Sequence, residues 1–363
     1  MAIKNKKTVL LGMSGGVDSS VSAYLLKKQG YKVIGAFMKN YSETKNPITS
    51  QCSYLDDKKS AQTIASILKI PLIYIDSERE YKEKVLTPMY KSYSKNLTPN
   101  PDISCNTIIK FPILWKAAKK QNADFISTGH YAIIKKTSKG FSLLSGKDKN
   151  KDQSYFLSEL NQFDLSHTLF PIGNLKKEKV RNLAKKIKLP NWNKQGTRGI
   201  CFVGKTNMQT FLSKKIPQKP GKVITPENIL IGTHPGAMYY TIGQRIGQSV
   251  GISFSPNWKN EKNEKLYIAN KKNNILIAVP ENHILLKRKK IKILKLHLIN
   301  PEEKIPNNLK ARIRHLGELH SGTLSKNKKE FTFKKPVKSL AEGQYIVLYN
   351  KDNLIASGEI RFK

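Results

Sequence analysis

The chain has 363 residues, 39% hydrophobic and 25% charged, which allows two or three domains with sizeable cores. Lys and Arg number 65 against 26 Asp and Glu, a net charge of +39 that favours a polyanionic partner, nucleic acid ahead of membrane. Lys, Asn and Ile are abundant together, as in chains from AT-rich genomes, so the charge supports such a partner without proving it. No apolar run reaches the roughly 18 residues a membrane-spanning helix needs. The apolar run in "MAIKNKKTVLLGM" is shorter than the roughly 7 residues of a signal peptide core. A cytoplasmic protein with no membrane association is expected. Cys52, Cys105 and Cys201 form no CxxC pair, which argues against a thiolate metal site and fits a reducing compartment.

In chain order, "KTVLLGM" and "YKVIGAFM" are short apolar runs of strand length. Between them Val17, Val21 and Leu25 recur every four residues, with Gly30 where a helix would end. "PLIYID" and "ADFISTGH" repeat the strand signal, and a helical stretch around Ala61, Ile64, Ala65 and Leu68 ends before Pro71. This alternation predicts a parallel α/β sheet covered on both faces, with functional loops at the carboxyl ends of its strands. After about position 205, Gly and Pro become frequent and the strand-like runs short. From about 280 the runs "KIKILKLHLI", "LKARIRHLG", "KEFTFKK", "QYIVLYN" and "LIASGEIRF" predict a small barrel. Three units are expected: an α/β domain over 1–205, a β-rich domain over 206–280 and a C-terminal β-barrel over 281–363.

The stretch "LLGMSGGVDSS" at 10–20 joins the first strand to the first helix, the context of a phosphate site, yet it carries no Walker lysine. Gly12, Gly15 and Gly16 let the backbone approach an anion. Ser14, Ser19 and Ser20 add hydroxyls, and Val17 starts the apolar face of the helix. Asp18 would repel phosphates unless a cation bridges them, as Mg²⁺ does with ATP. The stretch resembles the PP-loop, SGGxDS, of the ATP pyrophosphatases, which cleave ATP between the α- and β-phosphates. A loop with no lysine suits a pyrophosphate leaving group and AMP transfer.

Other stretches narrow the substrate. In "LTPNPDISCNTIIKF", Pro99 and Pro101 stiffen the approach to Asp102, and Cys105 follows three residues later. "TRGICFVG" sets Cys201 between glycines and an apolar pair, 201 − 105 = 96 residues on. Each thiol alone reads as a buried, inert cysteine. Together, "SGGVDSS", "FMKN", "TPNPDISCN", "TGHY", "KDQSYFL", "GICFVG" and "YTIGQR" closely resemble the bacterial tRNA-specific 2-thiouridylases, in the family's order, up to about position 247.

The resemblance implies an enzyme that uses ATP to adenylate the C2 oxygen of the wobble uridine and then replaces that oxygen with sulfur. It implies ATP contacts from Gly12, Met13, Ser14, Gly15, Gly16, Val17, Asp18 and Ser19, and from Met38 and Gly129. It places Asn100, Pro101 and Asp102 around the flipped-out uridine, with Asp102 as general acid/base. Cys201 would carry the persulfide and Cys105 would be the second catalytic thiol. His130, Lys151, Asp152, Gln153, Arg314, His315 and Gln344 match positions that touch tRNA. The implied partners are tRNAs for Lys, Glu and Gln and a sulfur-relay protein or cysteine desulfurase. Two features depart from the family pattern: Arg198 lies in "NKQGTRGICF" without the usual acidic and serine residues, and His315 stands where an aromatic ring is common. Two other readings stay open on the residues alone. One is a PP-loop adenylating enzyme of the GMP or argininosuccinate synthetase type, the other a basic RNA-binding protein whose loop has lost catalysis.

Overall fold

A computed structural model describes residues 6–43, 53–196, 207–259 and 264–362. The first unit opens with β1 (Thr8–Gly12), α1 (Val17–Lys28), β2 (Lys32–Lys39), α2 (Ser53–Ile67) and β3 (Leu72–Asp76). A helical run follows as α3 (Glu78–Tyr81), a π-helical segment (Lys82–Leu86) and α4 (Thr87–Ser94). A second has the same plan: α5 (Pro101–Ser104), a π-helical segment (Cys105–Lys110) and α6 (Phe111–Lys120). Each π segment ends two residues before a proline, Pro88 or Pro112. Proline has no N–H for the α-type bond, and its ring crowds the carbonyl four residues back, so the ladder widens there. Cys105 lies at the start of the second widened turn.

Next come β4 (Phe125–Ser127), the hairpin β5 (Ala132–Thr137) and β6 (Gly140–Ser145), α7 (Gln162–Ser166), β7 (Thr168–Leu169) and α8 (Lys177–Lys186). Strands β1–β4 and β7 form a parallel sheet in the order β3-β2-β1-β4-β7. Its two faces feed two cores. Leu10 packs with Ile103, Cys105 and Leu114, whereas Val9 and Leu11 pack with Val17, Val21, Ile64 and Val180. Each such buried side chain contributes about 1.5–3 kcal/mol. The strand order reverses beside β1, so the crevice at the carboxyl ends of β1 and β4 is the expected ligand position.

The second unit holds α9 (Met208–Ser213), β8 (Gly221–Ile224), β9 (Leu230–His234), β10 (Ser253–Phe254), β11 (Leu266–Lys272) and β12 (Ile275–Pro280), in a mixed sheet ordered β10-β9-β8-β12-β11. The third holds β13 (Lys287–Leu298), β14 (Asn308–Arg312), β15 (His320–Leu324), β16 (Glu330–Lys338), β17 (Tyr345–Asn350) and β18 (Asn353–Arg361). These six strands are antiparallel, and the β13–β18 pairing closes them into a barrel. Short runs of alternating apolar residues have no other way to remove both sheet edges.

The hairpin β5–β6 lies in the first unit by sequence but extends the barrel sheet, with Leu143 and Leu144 paired to Leu354 and Asn353. Nearby, His297 hydrogen-bonds the Leu160 carbonyl at 2.8 Å, and Gln162 Nε2 donates to the Ile299 carbonyl at 2.6 Å. The first and third units therefore share a continuous seam. No helix among the described residues is long and apolar enough to cross a membrane.

Candidate functional site

The loop after β1 is fixed from several directions. Gly15 adopts φ +71, and a Cβ there would lie 2.4 Å from the Asp57 carbonyl oxygen of α2, so only glycine fits. The Gly15 carbonyl accepts from Ser60 Oγ at 2.8 Å, Asn191 Nδ2 at 3.1 Å and Lys194 Nζ at 3.3 Å. Ser19 and Ser20 hydroxyls donate to the Gly16 carbonyl at 3.1 and 2.9 Å. Ser14 Oγ accepts from the Gly16 amide at 3.4 Å and is exposed. The first-turn amides of α1 have no carbonyl four residues back and point out of the helix end. Met13 and Met38 are buried in the sheet beneath. Gly129, after β4, closes against the loop: a Cβ would sit 2.7 Å from the Ser19 nitrogen. Gly12, Ser14–Ser19 and Gly129 thus meet at the switch point.

Asp18 is held by residues from far along the chain. Lys177 Nζ of α8 reaches its two oxygens at 2.6 and 2.7 Å, and Tyr131 OH donates at 2.7 Å. Burial first, and then the Asp18 charge, pushes the Tyr131 hydroxyl pKa well up, so it remains a donor. Lys194 Nζ also pairs with Asp57 at 2.8 Å. The loop lacks a lysine in sequence, yet two ammonium groups sit on it in space.

The Asp102–Cys105 helix reaches the same region. Asn100 caps α5, accepting from the Ile103 amide at 3.2 Å. Asp102 is half-buried and Cys105 fully buried. Asn106 Nδ2 donates to the Asp102 carbonyl at 3.1 Å and to the Phe156 carbonyl at 3.2 Å, while its Oδ1 accepts from Lys110 Nζ at 2.9 Å. His130, next to Gly129, has its ring stacked on Phe111 at the start of α6 and edge-on to Phe170. Its Nδ1 bonds Thr128 Oγ1 at 2.7 Å. Burial, with the Lys110 charge second, holds the His130 pKa well below its usual value, so the ring is neutral. Gly129 and His130 thus join the phosphate loop to α6, the end of the helical run that begins at α5. Cys201 and Cys52, with Arg198 and the "GICF" frame, lie outside the described residues.

The remaining sites are distributed unevenly between surface and seam. In the "KDQ" triplet Lys151 is exposed, but Asp152 is not: its carboxylate accepts from Arg312 at 2.7 Å and from the Gly146 and Ser154 amides, each at 3.0 Å. The Asp152 side chain thus faces inward and holds the seam with the barrel. Gln153 is half-buried and pairs with Tyr131 through its backbone and Oε1. Arg314 is exposed. His315 stacks on Phe156 with ring centres 4.2 Å apart, so it fills the place of an aromatic ring despite being histidine. Gln344 is not a loose turn residue. Its Nε2 donates to the Thr98 and Pro99 carbonyls at 3.1 and 3.2 Å, and its Oε1 accepts from Asn100 at 3.4 Å.

Thr98 also meets Thr241 of the second unit at 3.2 Å, so all three units converge on the segment leading into Asp102. Sequence reasoning missed Lys177, Lys194, Asn191, Thr98 and Thr241, which carry no local signal. Tyr131 was within reach, as the last residue of "TGHY". Lys110 was too, one helical turn beyond Asn106 in a quoted motif.

Comparison with known proteins fits this arrangement. Residues 7–205, 209–279 and 288–360 match in turn the families described as tRNA methyl transferase HUP domain, tRNA methyl transferase PRC-barrel domain and aminomethyltransferase beta-barrel domain. The tRNA-specific 2-thiouridylase MnmA 1 of Geobacillus kaustophilus is 40% identical, covering 98% of this chain and 95% of its own. The chain belongs to the tRNA-specific 2-thiouridylase family. The Methylobacillus flagellatus member is 39% identical over 98% of this chain and 99% of its own. That of Nitrosomonas europaea is 49% identical over 68% of each. The HUP description fits an ATP-using first domain, in line with the loop at its switch point.

Proposed function

We propose that the chain is a tRNA 2-thiouridylase that activates the C2 oxygen of the wobble uridine with ATP and replaces it with sulfur from a Cys201 persulfide. The observation that carries this reading is the meeting of two segments. The loop after β1 and the helical run that carries Asp102 are linked through Gly129, which closes on Ser19, and His130, which stacks on Phe111 of α6.

The oxygen donors at the loop are a carboxylate and hydroxyls, the set suited to Mg²⁺ with phosphates. When bound, Mg²⁺·ATP supplies an α-phosphorus open to attack and a pyrophosphate leaving group. The loop amides and Gly129 hold the phosphates. Asn100, Pro101 and Asp102 surround the extruded base, a base in a folded stem-loop being otherwise out of reach. Asp102 manages protons at that base. The uridine O2 attacks the α-phosphorus, and the α–β bridging bond breaks with its electron pair leaving on pyrophosphate. The outer sulfur of the Cys201 persulfide adds to C2, and the Cys105 thiolate then attacks the Cys201 sulfur. This breaks the S–S bond, leaves sulfur on C2 as AMP departs, and forms a Cys105–Cys201 disulfide for a dithiol reductant to reopen. Lys151, Arg314 and the basic surface hold tRNA phosphates. tRNAs for Lys, Glu and Gln, a sulfur-relay or desulfurase donor and a cytoplasmic setting complete the reading.

The test is mass spectrometry on tRNA-bound enzyme trapped during turnover. A persulfide on Cys201 that persists in Cys105→Ser and is lost in Cys201→Ser supports the assignment. A persulfide on Cys105 with Cys201 unmodified reverses it, and a fully active Cys105→Ser enzyme removes Cys105 from the mechanism.

A further inference from the structure

The loop after β1 carries no cation of its own, but Lys177 places one on it. The Lys177 Nζ lies 2.6 Å from Asp18 Oδ1, with the two side chains 15% and 31% exposed. It also lies 5.7 Å from the centre of the Tyr131 ring. Its backbone is anchored separately: the Lys177 amide donates to Asp148 Oδ2 at 2.9 Å, and Val180 and Ala184 of α8 pack in one core with Val17 and Val21 of α1. A flexible lysine is therefore rooted on a rigid platform beside the helix end that faces the phosphates. Lys194, which donates to the Gly15 carbonyl at 3.3 Å and pairs with Asp57, is a second cation on the same loop.

We propose that Lys177 is a pyrophosphate-binding residue, supplying from α8 the ammonium group that a Walker loop carries within itself. This rests on the ATP site proposed above. Two chemical demands meet at Asp18. Its carboxylate repels the phosphates unless it faces Mg²⁺, and an ammonium group bound to it in a bidentate manner is within a side-chain rotation of any anion it approaches. When Asp18 turns to the phosphate-bound cation, Lys177 transfers to the β- and γ-phosphates. There it stabilises the charge that builds on pyrophosphate as the α–β bond breaks. No net charge is left unpaired: one carboxylate exchanges an ammonium for a metal ion, and one ammonium exchanges a carboxylate for a phosphate.

The competing explanation is that Lys177 only neutralises Asp18. Removing the carboxylate separates the two. Metal-free inorganic pyrophosphate and Mg²⁺·ATP are titrated calorimetrically into the full-length wild type, Lys177→Met, Lys177→Arg, Asp18→Asn and the Asp18→Asn/Lys177→Met double variant. If Lys177 binds pyrophosphate, Asp18→Asn binds metal-free pyrophosphate more tightly than wild type, because the ammonium no longer has a carboxylate partner. Adding Lys177→Met to Asp18→Asn then weakens pyrophosphate about ten- to a hundredfold, the scale of one charge-assisted hydrogen bond. Lys177→Arg stays within about threefold of wild type, since a guanidinium also binds phosphate.

Equal pyrophosphate affinity in Asp18→Asn and the double variant overturns the proposal and leaves Lys177 a neutralising residue. Should Lys177→Met fail to fold, the Arg variant and the double variant carry the comparison. Failure of the underlying reading looks different: wild type itself then binds neither ligand and forms no AMP with tRNA.

Discussion

Arg312 of the barrel donates to Asp152 of the first unit at 2.7 Å, with the two side chains 9% and 0% exposed. Asp152 also accepts from the Gly146 and Ser154 amides, and Ser154 Oγ bonds Tyr349 OH at 3.2 Å. A buried pair with one partner deleted leaves an uncompensated charge costing about 3–5 kcal/mol. Asp152→Ala and Arg312→Met should each lower the unfolding free energy by that scale, and the double variant should lose less than their sum. Additive losses in chemical denaturation would mean the two groups do not act as a pair.

Gln344 ties the barrel to the carbonyls of Thr98 and Pro99, just ahead of Asp102. Two hydrogen bonds of about 1 kcal/mol each hold that segment in place. Gln344→Ala should lower kcat for tRNA thiolation roughly tenfold or more while ATP affinity changes little. A variant that loses only tRNA affinity would make Gln344 a direct contact instead of a positioning residue.

His315 gives a pH prediction. Burial lowers its pKa to about 4, with Asp152 opposing and Arg312 and Lys151 adding to the shift. The folded value lies below the unfolded one, so the unfolded chain binds the proton first. The contribution of His315 to stability is therefore complete above about pH 6.5 and is lost as pH falls toward 4. His315→Phe keeps the stack on Phe156 and removes the titration. Its advantage over wild type in thermal midpoint should grow from pH 6.5 to 4 and stay flat above 7. A difference that grows at alkaline pH would contradict the assignment.

Arg314 is exposed beside this stacked pair, on a chain of net charge +39. The logarithm of tRNA affinity should fall linearly with the logarithm of salt, by about 0.7 to 0.9 per phosphate neutralised. Arg314→Ala should flatten that slope by about one contact. An unchanged slope would remove Arg314 from the tRNA interface, and a salt-independent affinity would make the charge compositional.

The parts of the architecture legible in the sequence were those with local period. Strands β1, β2 and β3 announce themselves as apolar runs, and the loop after β1 as a run of Gly and Ser between strand and helix. The barrel strands showed as closely spaced alternations. The hairpin β5–β6 was not recognised because its partner, β18, lies about two hundred residues away and nothing local marks that pairing. The same limit applies at the site. Lys177 meets Asp18 across 159 positions, and Gln344 meets Thr98 across 246. Both meetings depend on how α8 and the barrel pack, which no short window of sequence contains. Asp152 is a third case, since its buried guanidinium partner, Arg312, lies 160 positions along the chain.

The most direct measurement is a single-turnover reaction of the purified chain with ATP, unmodified tRNA and a ³⁵S-labelled persulfide donor. Labelled 2-thiouridine should appear at the wobble position, one AMP should form for each sulfur incorporated, and neither product should form when tRNA or ATP is omitted. Sulfur incorporation without ATP, or AMP formation with no label in tRNA, would contradict the account.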